Sequence, residues 1–86
     1  MRHEKKTWPQ DFEAILDGQK TFDLRLADWK CEPGDTLVLR EWDPDTEAYT
    51  GRIIEKEVTH ILKTNELTFW PKEEIDKYGF QVISFH

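Results

Sequence analysis

Residues 17–25, Asp17-Gly18-Gln19-Lys20-Thr21-Phe22-Asp23-Leu24-Arg25, hold a helix ending, a glycine stop and the start of an alternating segment. Glycine enters the left-handed backbone of a helix C-cap at little cost, so Gly18 marks the stop. Beyond it the alternation predicts a strand from Lys20 to Leu26. Thr21, Asp23 and Arg25 fall on one face, and Phe22 and Leu24 on the other. A lysine, a carboxylate and an arginine on one short element can hold an anionic or hydrogen-bonding ligand. They can equally form a charged surface that touches nothing.

On the N-terminal side, Pro9 suits a first helical turn and Asp11 complements its positive end. Phe12, Ile15 and Leu16 fall at i, i+3 and i+4, one apolar stripe. The helix is short, so packing rather than propensity must hold it. Before it, His3–Lys6 forms a candidate strand. On the C-terminal side, Ala27–Pro33 is irregular and carries Trp29 and Cys31. Glu32-Pro33-Gly34-Asp35 has the composition of a turn. Thr36–Trp42 alternates as a strand, and Asp43–Glu47 is an acidic loop. Ala48–Leu62 returns as a long strand bent at Gly51, with neither face cleanly apolar. A helical turn opens at Pro71, and Phe80–Phe85 is the expected closing strand. After the opening piece the order is α, β, β, β, loop, β, in antiparallel, meander-like spacing. That predicts one domain over 1–86, mainly β with α (α+β). Its expected form is a small β-barrel with one N-terminal helix and a short helical turn before the last strand.

The totals agree with a single folded domain. Of 86 residues, 37% are hydrophobic and 35% charged, with a mean hydropathy of -0.77. That apolar share is enough to exclude full disorder. Net charge is -6, which argues against strong non-specific binding to long nucleic acid. The excess lies mainly in the second half, so a basic face must be local and drawn from the first. The lone Cys31 forms no internal disulfide, and no Cys/His run shows metal-ligand spacing, so no metal and no other cofactor is expected. A free thiol suits a reducing cytoplasm. The charged start (Arg2, Glu4, Lys5, Lys6) has no apolar run behind it, so no signal peptide is expected. No stretch approaches the ~20 apolar residues of a membrane helix, and no membrane partner is expected.

Gly18-x-Lys20-Thr21-x-Asp23-x-Arg25 resembles the signature Gly-x-Lys-x-x-Glu-x-Arg of ASCH domains, a family of PUA-like barrels. His3-x-x-Lys6-Thr7-Trp8-Pro9, Phe12, Gly34-Asp35-x-Leu37-x-Leu39-x-Glu41 and Tyr49-Thr50-Gly51-Arg52 extend the likeness to very small ASCH-like proteins of phages and gut bacteria. The resemblance implies a PUA-like barrel with a cleft between helix, motif strand and neighbouring loops, and a role in binding RNA or a nucleotide. One hydrolytic branch of small ASCH proteins cleaves the amide of acetylated cytidine. It uses a lysine nucleophile at the Lys20 position, a threonine where this chain has Asp23, and a glutamate further along. Glu55, Glu57, Glu66, Glu73 and Glu74 all lie downstream here.

The candidate ligand-binding set is therefore His3, Lys6, Trp8, Lys20, Thr21, Asp23, Arg25 and Trp29. Lys20 suits three roles: nucleophile, ligand contact or surface charge. A neighbouring Asp23 favours the ammonium form and opposes the first. Arg25 can grip a phosphate or a base edge, or pair with Asp23 or Glu41. Lys6 would add its charge to the anion-favouring helix N-terminus. Trp8 and Trp29 flank the expected cleft and could stack on bases, whereas Trp42 suits the core. Cys31 packs as a small hydrophobe. Binding of RNA or a nucleotide is favoured over catalysis. Hydrolysis of a modified nucleoside by Lys20 is the enzyme alternative. A phage accessory role, presenting the acidic half to a host protein, is the third.

Overall fold

A computed structural model describes residues 1–66 and 68–85. The elements run β1 (Arg2–Thr7), α1 (Pro9–Leu16), β2 (Thr36–Asp43), β3 (Ala48–Glu57), a 3-10 turn at Thr64–Glu66, and α2 (Lys72–Tyr78). The three strands form one sheet in the order β1-β2-β3. β2 and β3 are an antiparallel hairpin, but β1 pairs parallel to β2, from Arg2 opposite Thr36 to Thr7 opposite Glu41. The expected meander is corrected on this point. A parallel neighbour needs a long crossover, and residues 8–35, with α1 at their start, supply it.

The helix forms where the apolar stripe predicts. Its first carbonyl partner is Trp8, whose C=O accepts from the Phe12 N–H at 2.9 Å. It closes at Gly18, whose φ is +83° and whose N–H reaches the Ile15 carbonyl. The stripe seats Phe12 and Ile15 on the sheet face that carries Leu39 and Ile54, and Leu37 packs against them. Leu39 and Ile54 are register partners across the hairpin. Phe12 and Leu39 are each 1% exposed, so this small cluster is the centre of the core.

The hairpin is irregular at one place. Arg40 lies opposite Ile53 and Trp42 opposite Tyr49, so Glu41 faces the three residues Thr50-Gly51-Arg52. This is a bulge in β3, and Gly51 makes it with φ +97°. A Cβ at Gly51 would meet no atom within 4 Å. Gly51→Ala is thus expected to act through backbone strain alone, lowering urea-unfolding stability by about 1–3 kcal/mol.

The second helix forms at the expected turn, with Pro71 as its N-cap and Gly79 after it. Two expected strands do not form. No residue from Thr21 to Leu26 makes a backbone–backbone hydrogen bond among the described residues, and Phe80–Phe85 likewise carries no ladder. Alternation supplies a strand's period but not its partner. With no neighbouring edge, Leu24 and Leu26 stay 73% and 80% exposed. The two segments do meet at one point: Thr21 hydrogen-bonds Ser84 through its hydroxyl, and its N–H donates to the same Ser84 Oγ at 3.3 Å. The fold is a mixed α/β arrangement, a three-stranded sheet with two helices, and the sheet does not close into a barrel among the described residues.

Candidate functional site

β1 sends alternate side chains to opposite faces, and its register sets which residues share the helix side. His3, Lys5 and Thr7 stand beside Leu37, Leu39 and Glu41 on that side. Arg2, Glu4 and Lys6 stand on the other, where Arg2 pairs with Glu55 and the Lys6 ammonium lies 4.2 Å from the Trp42 ring centre. Strand parity therefore takes Lys6 away from the expected cleft.

The segment after α1 wraps over the helix side of the sheet and encloses a cleft of about 420 Å³. Its wall includes Lys20, Thr21, Asp23, Arg25 and Trp29 of the expected set, with Cys31 beside them. Apolar surface comes from Ile15, Phe22, Leu24, Leu37 and Leu39. The far wall is the stretch 56–63, which brings Lys56, Glu57, His60 and Lys63. Of the five downstream glutamates, Glu57 lines this cleft. His3, Lys6 and Trp8 are not part of the wall: His3 is engaged with the turn, Lys6 faces the other way, and Trp8 is an exposed helix cap.

The charged residues are pre-positioned by ion pairs. The Lys20 ammonium donates to Asp11 Oδ1 at 3.0 Å, which ties the motif back to the first turn of α1. Arg25 Nε donates to Asp23 Oδ2 at 2.7 Å, and its Nη2 donates to Thr7 Oγ1 at 3.2 Å. Arg25 thus pairs with Asp23 and not with Glu41. Half-buried Trp29 packs between His3, with ring centres 4.9 Å apart, and the Lys5 ammonium, 3.8 Å from its ring centre. Lys5 was absent from the expected set. Its signal is its two-residue spacing from His3 and Thr7 on one strand face.

Two carboxylates near the site are held well below their usual range. Glu41 is 4% exposed. It accepts from Arg52 Nε at 2.9 Å, Arg52 Nη2 at 2.8 Å and Thr50 Oγ1 at 2.6 Å. These bonds, Arg52 first, pull its pKa down to about 2. The same arginine, 4.8 Å from the Phe12 ring centre, also pairs with Glu13 on the helix. Asp35 is pulled down to about 2 as well, chiefly by His3 and then by the Glu32 N–H. Burial, with Asp35 second, pushes the Cys31 thiol up.

Residues 2–73 match the family described as a domain of unknown function, DUF3850. The chain belongs to the DUF3850 family. This DUF3850 chain is also 33% identical, over 73 residues, to an uncharacterised 12.9 kDa protein in the GpA 3' region of Escherichia phage P2. The match covers 85% of this chain and 62% of the phage protein, so the chain spans less than two thirds of that relative. The expected likeness to phage proteins is therefore present. No solved structure matches the DUF3850 chain significantly. No helix among its described residues is long and apolar enough to cross a membrane.

Proposed function

We propose that the cleft binds single-stranded RNA or a nucleotide, with Lys20 and Arg25 contacting phosphate or base edges and Trp29 beside them. The observation that carries this reading is convergence. Lys20, Thr21, Asp23, Arg25 and Trp29, all within residues 20–29, line one cleft whose far wall is the distant stretch 56–63; its volume of about 420 Å³ suits a small ligand. The carboxylates of Asp11 and Asp23 hold the two cations in place, which lowers the ordering cost of binding. The net charge of -6 supports a few nucleotides rather than a long duplex. The ASCH likeness belongs to the same reading. A PUA-like barrel would close through the motif segment and the segment 80–85, and the Thr21–Ser84 hydrogen bonds support that closure.

Titrating a short single-stranded RNA into the labelled protein is expected to shift the amide signals of Lys20 to Arg25 and the Trp29 indole signal. Added salt is expected to weaken the effect, and Lys20→Ala or Arg25→Ala to weaken binding roughly tenfold. No shift with RNA or any nucleoside would reject the reading. Glu57 on the cleft wall favours a second one, hydrolysis of an acylated nucleoside such as acetylated cytidine with Lys20 as nucleophile. Release of acetate that is lost in both Lys20→Ala and Glu57→Gln would establish it, and an inert wild type would end it.

A further inference from the structure

Beyond the nucleic-acid reading, a second cluster lies at the margin of the cleft. Among the described residues, His3, Cys31 and Asp35 bring one ligand atom each to within 4.8 Å of one another, and all three side chains are half-buried. We propose that His3, Cys31 and Asp35 form a binding site for a zinc-class divalent cation, with a fourth position left to water or a ligand.

The donor set carries the choice of metal. An imidazole nitrogen, a thiolate sulfur and a carboxylate oxygen are the ligand types of zinc, and three protein ligands with one open position is the pattern of a reactive rather than a purely structural site. Zinc bonds of about 2.0–2.3 Å in a tetrahedron place ligand atoms roughly 3.3–3.8 Å apart. The observed spread of up to 4.8 Å contracts to that by small side-chain rotations, and the His3 Nε2 to Asp35 Oδ2 distance of 2.8 Å opens slightly.

The surroundings hold the donors in place before any metal arrives. Strand parity points His3 to the helix side, where its ring packs on Trp29. The Glu32–Asp35 turn is closed by the Asp35 N–H to the Glu32 carbonyl at 3.0 Å, and the Glu32 N–H holds Asp35 Oδ2 at 3.1 Å. The Gly34 N–H donates to the Val58 carbonyl at 2.7 Å, which fixes the turn to the end of β3. Such outer bonds orient metal ligands and account for much of a site's affinity. Cys31 and Asp35 stand four apart across that turn, and His3 arrives from a strand 28 residues earlier in the chain. No linear spacing shows the set, because the parallel β1–β2 pairing assembles it.

Cobalt(II) is the spectroscopic probe. The full chain is expected to bind one equivalent, with a thiolate-to-cobalt charge-transfer band and intense visible bands of four-coordinate cobalt, and added zinc is expected to displace it. Cys31→Ser is expected to remove the charge-transfer band. His3→Gln and Asp35→Asn are each expected to weaken cobalt binding at least ~tenfold. Zinc is expected to raise the Tm of the wild type with concentration and to leave that of Cys31→Ser unchanged. Cys31 is in no disulfide, and the hydroxyl of serine keeps the small size of the thiol, so Cys31→Ser is expected to keep the apo fold, which circular dichroism checks. A wild type without the charge-transfer band, or one whose band and affinity survive in His3→Gln and Asp35→Asn, would overturn the site.

Discussion

Phe12→Ala is expected to lower the stability of this chain by about 3–5 kcal/mol, the usual cost of emptying a fully buried aromatic site. Domains of this size hold roughly 5–15 kcal/mol in total, so the variant is at the edge of unfolding at room temperature. At about 4–8 °C per kcal/mol, Tm falls by at least ~12 °C. The loss is large because Phe12 has no substitute. Among the described residues the core cluster is Phe12, Ile15, Leu39 and Ile54, and Phe12 is its aromatic member. It is also the ring beneath the Arg52 guanidinium, which bonds Glu41 in the bulge and Glu13 on the helix. Its removal loosens both the helix–sheet contact and that ion network. Thermal unfolding followed by circular dichroism measures the effect. A Tm shift of under ~4 °C would show that the core lies elsewhere.

Acidification is the second large effect. Glu41 and Asp35 are held at about 2, below their ordinary values of 4.5 and 3.8. The unfolded chain therefore binds more protons than the folded one between roughly pH 4.5 and pH 2. Their contribution is complete above that window and is lost as pH falls through it. The Tm of the wild type is expected to drop steeply from about pH 4.5 downward. Glu41→Gln cannot take up a proton at that position. It is expected to be less stable at pH 7, because Arg52 and Thr50 lose their carboxylate, and to show a shallower acid limb. Parallel curves for the two proteins would refute the role of the Glu41–Arg52 pair.

Local pattern foretold the local elements. Phe12 and Ile15 at helical spacing, closed by Gly18, gave α1 its place, and the alternation through Leu37, Leu39 and Glu41 gave β2. Gly51 reads as a bend, and Pro71 as a helix start. Pairing was less legible. β1 is short and polar, and nothing in His3–Lys6 says that its neighbour is Leu37–Arg40 or that the two run parallel. Residues 20–26 and 80–85 have the period of strands, yet period alone names no edge for them to join. The cleft was legible as far as its motif, because Lys20, Thr21, Asp23 and Arg25 lie on one short segment. Glu57 and His60 reach it from a stretch far along the chain, Lys5 only packs on Trp29 of its wall, and Arg25 takes the carboxylate two residues before it, a choice the spacing leaves open against Glu41. His3 and Lys6 flank one short stretch and read alike in the sequence, but strand parity puts them on opposite faces of the sheet.

The parallel pairing of β1 with β2 also sets an order of assembly in time. The β2–β3 hairpin needs only the short connection between Asp43 and Ala48, so it can form early from local contacts. β1 is made first by the ribosome but has nothing to pair with until Thr36–Asp43 has emerged. It must then return across the whole intervening crossover, a closure with a larger entropic cost. The strand that carries His3, Lys5 and Thr7 is thus the earliest in synthesis and the last to dock. A chain arrested before residue 36 holds those three side chains with no strand to receive them.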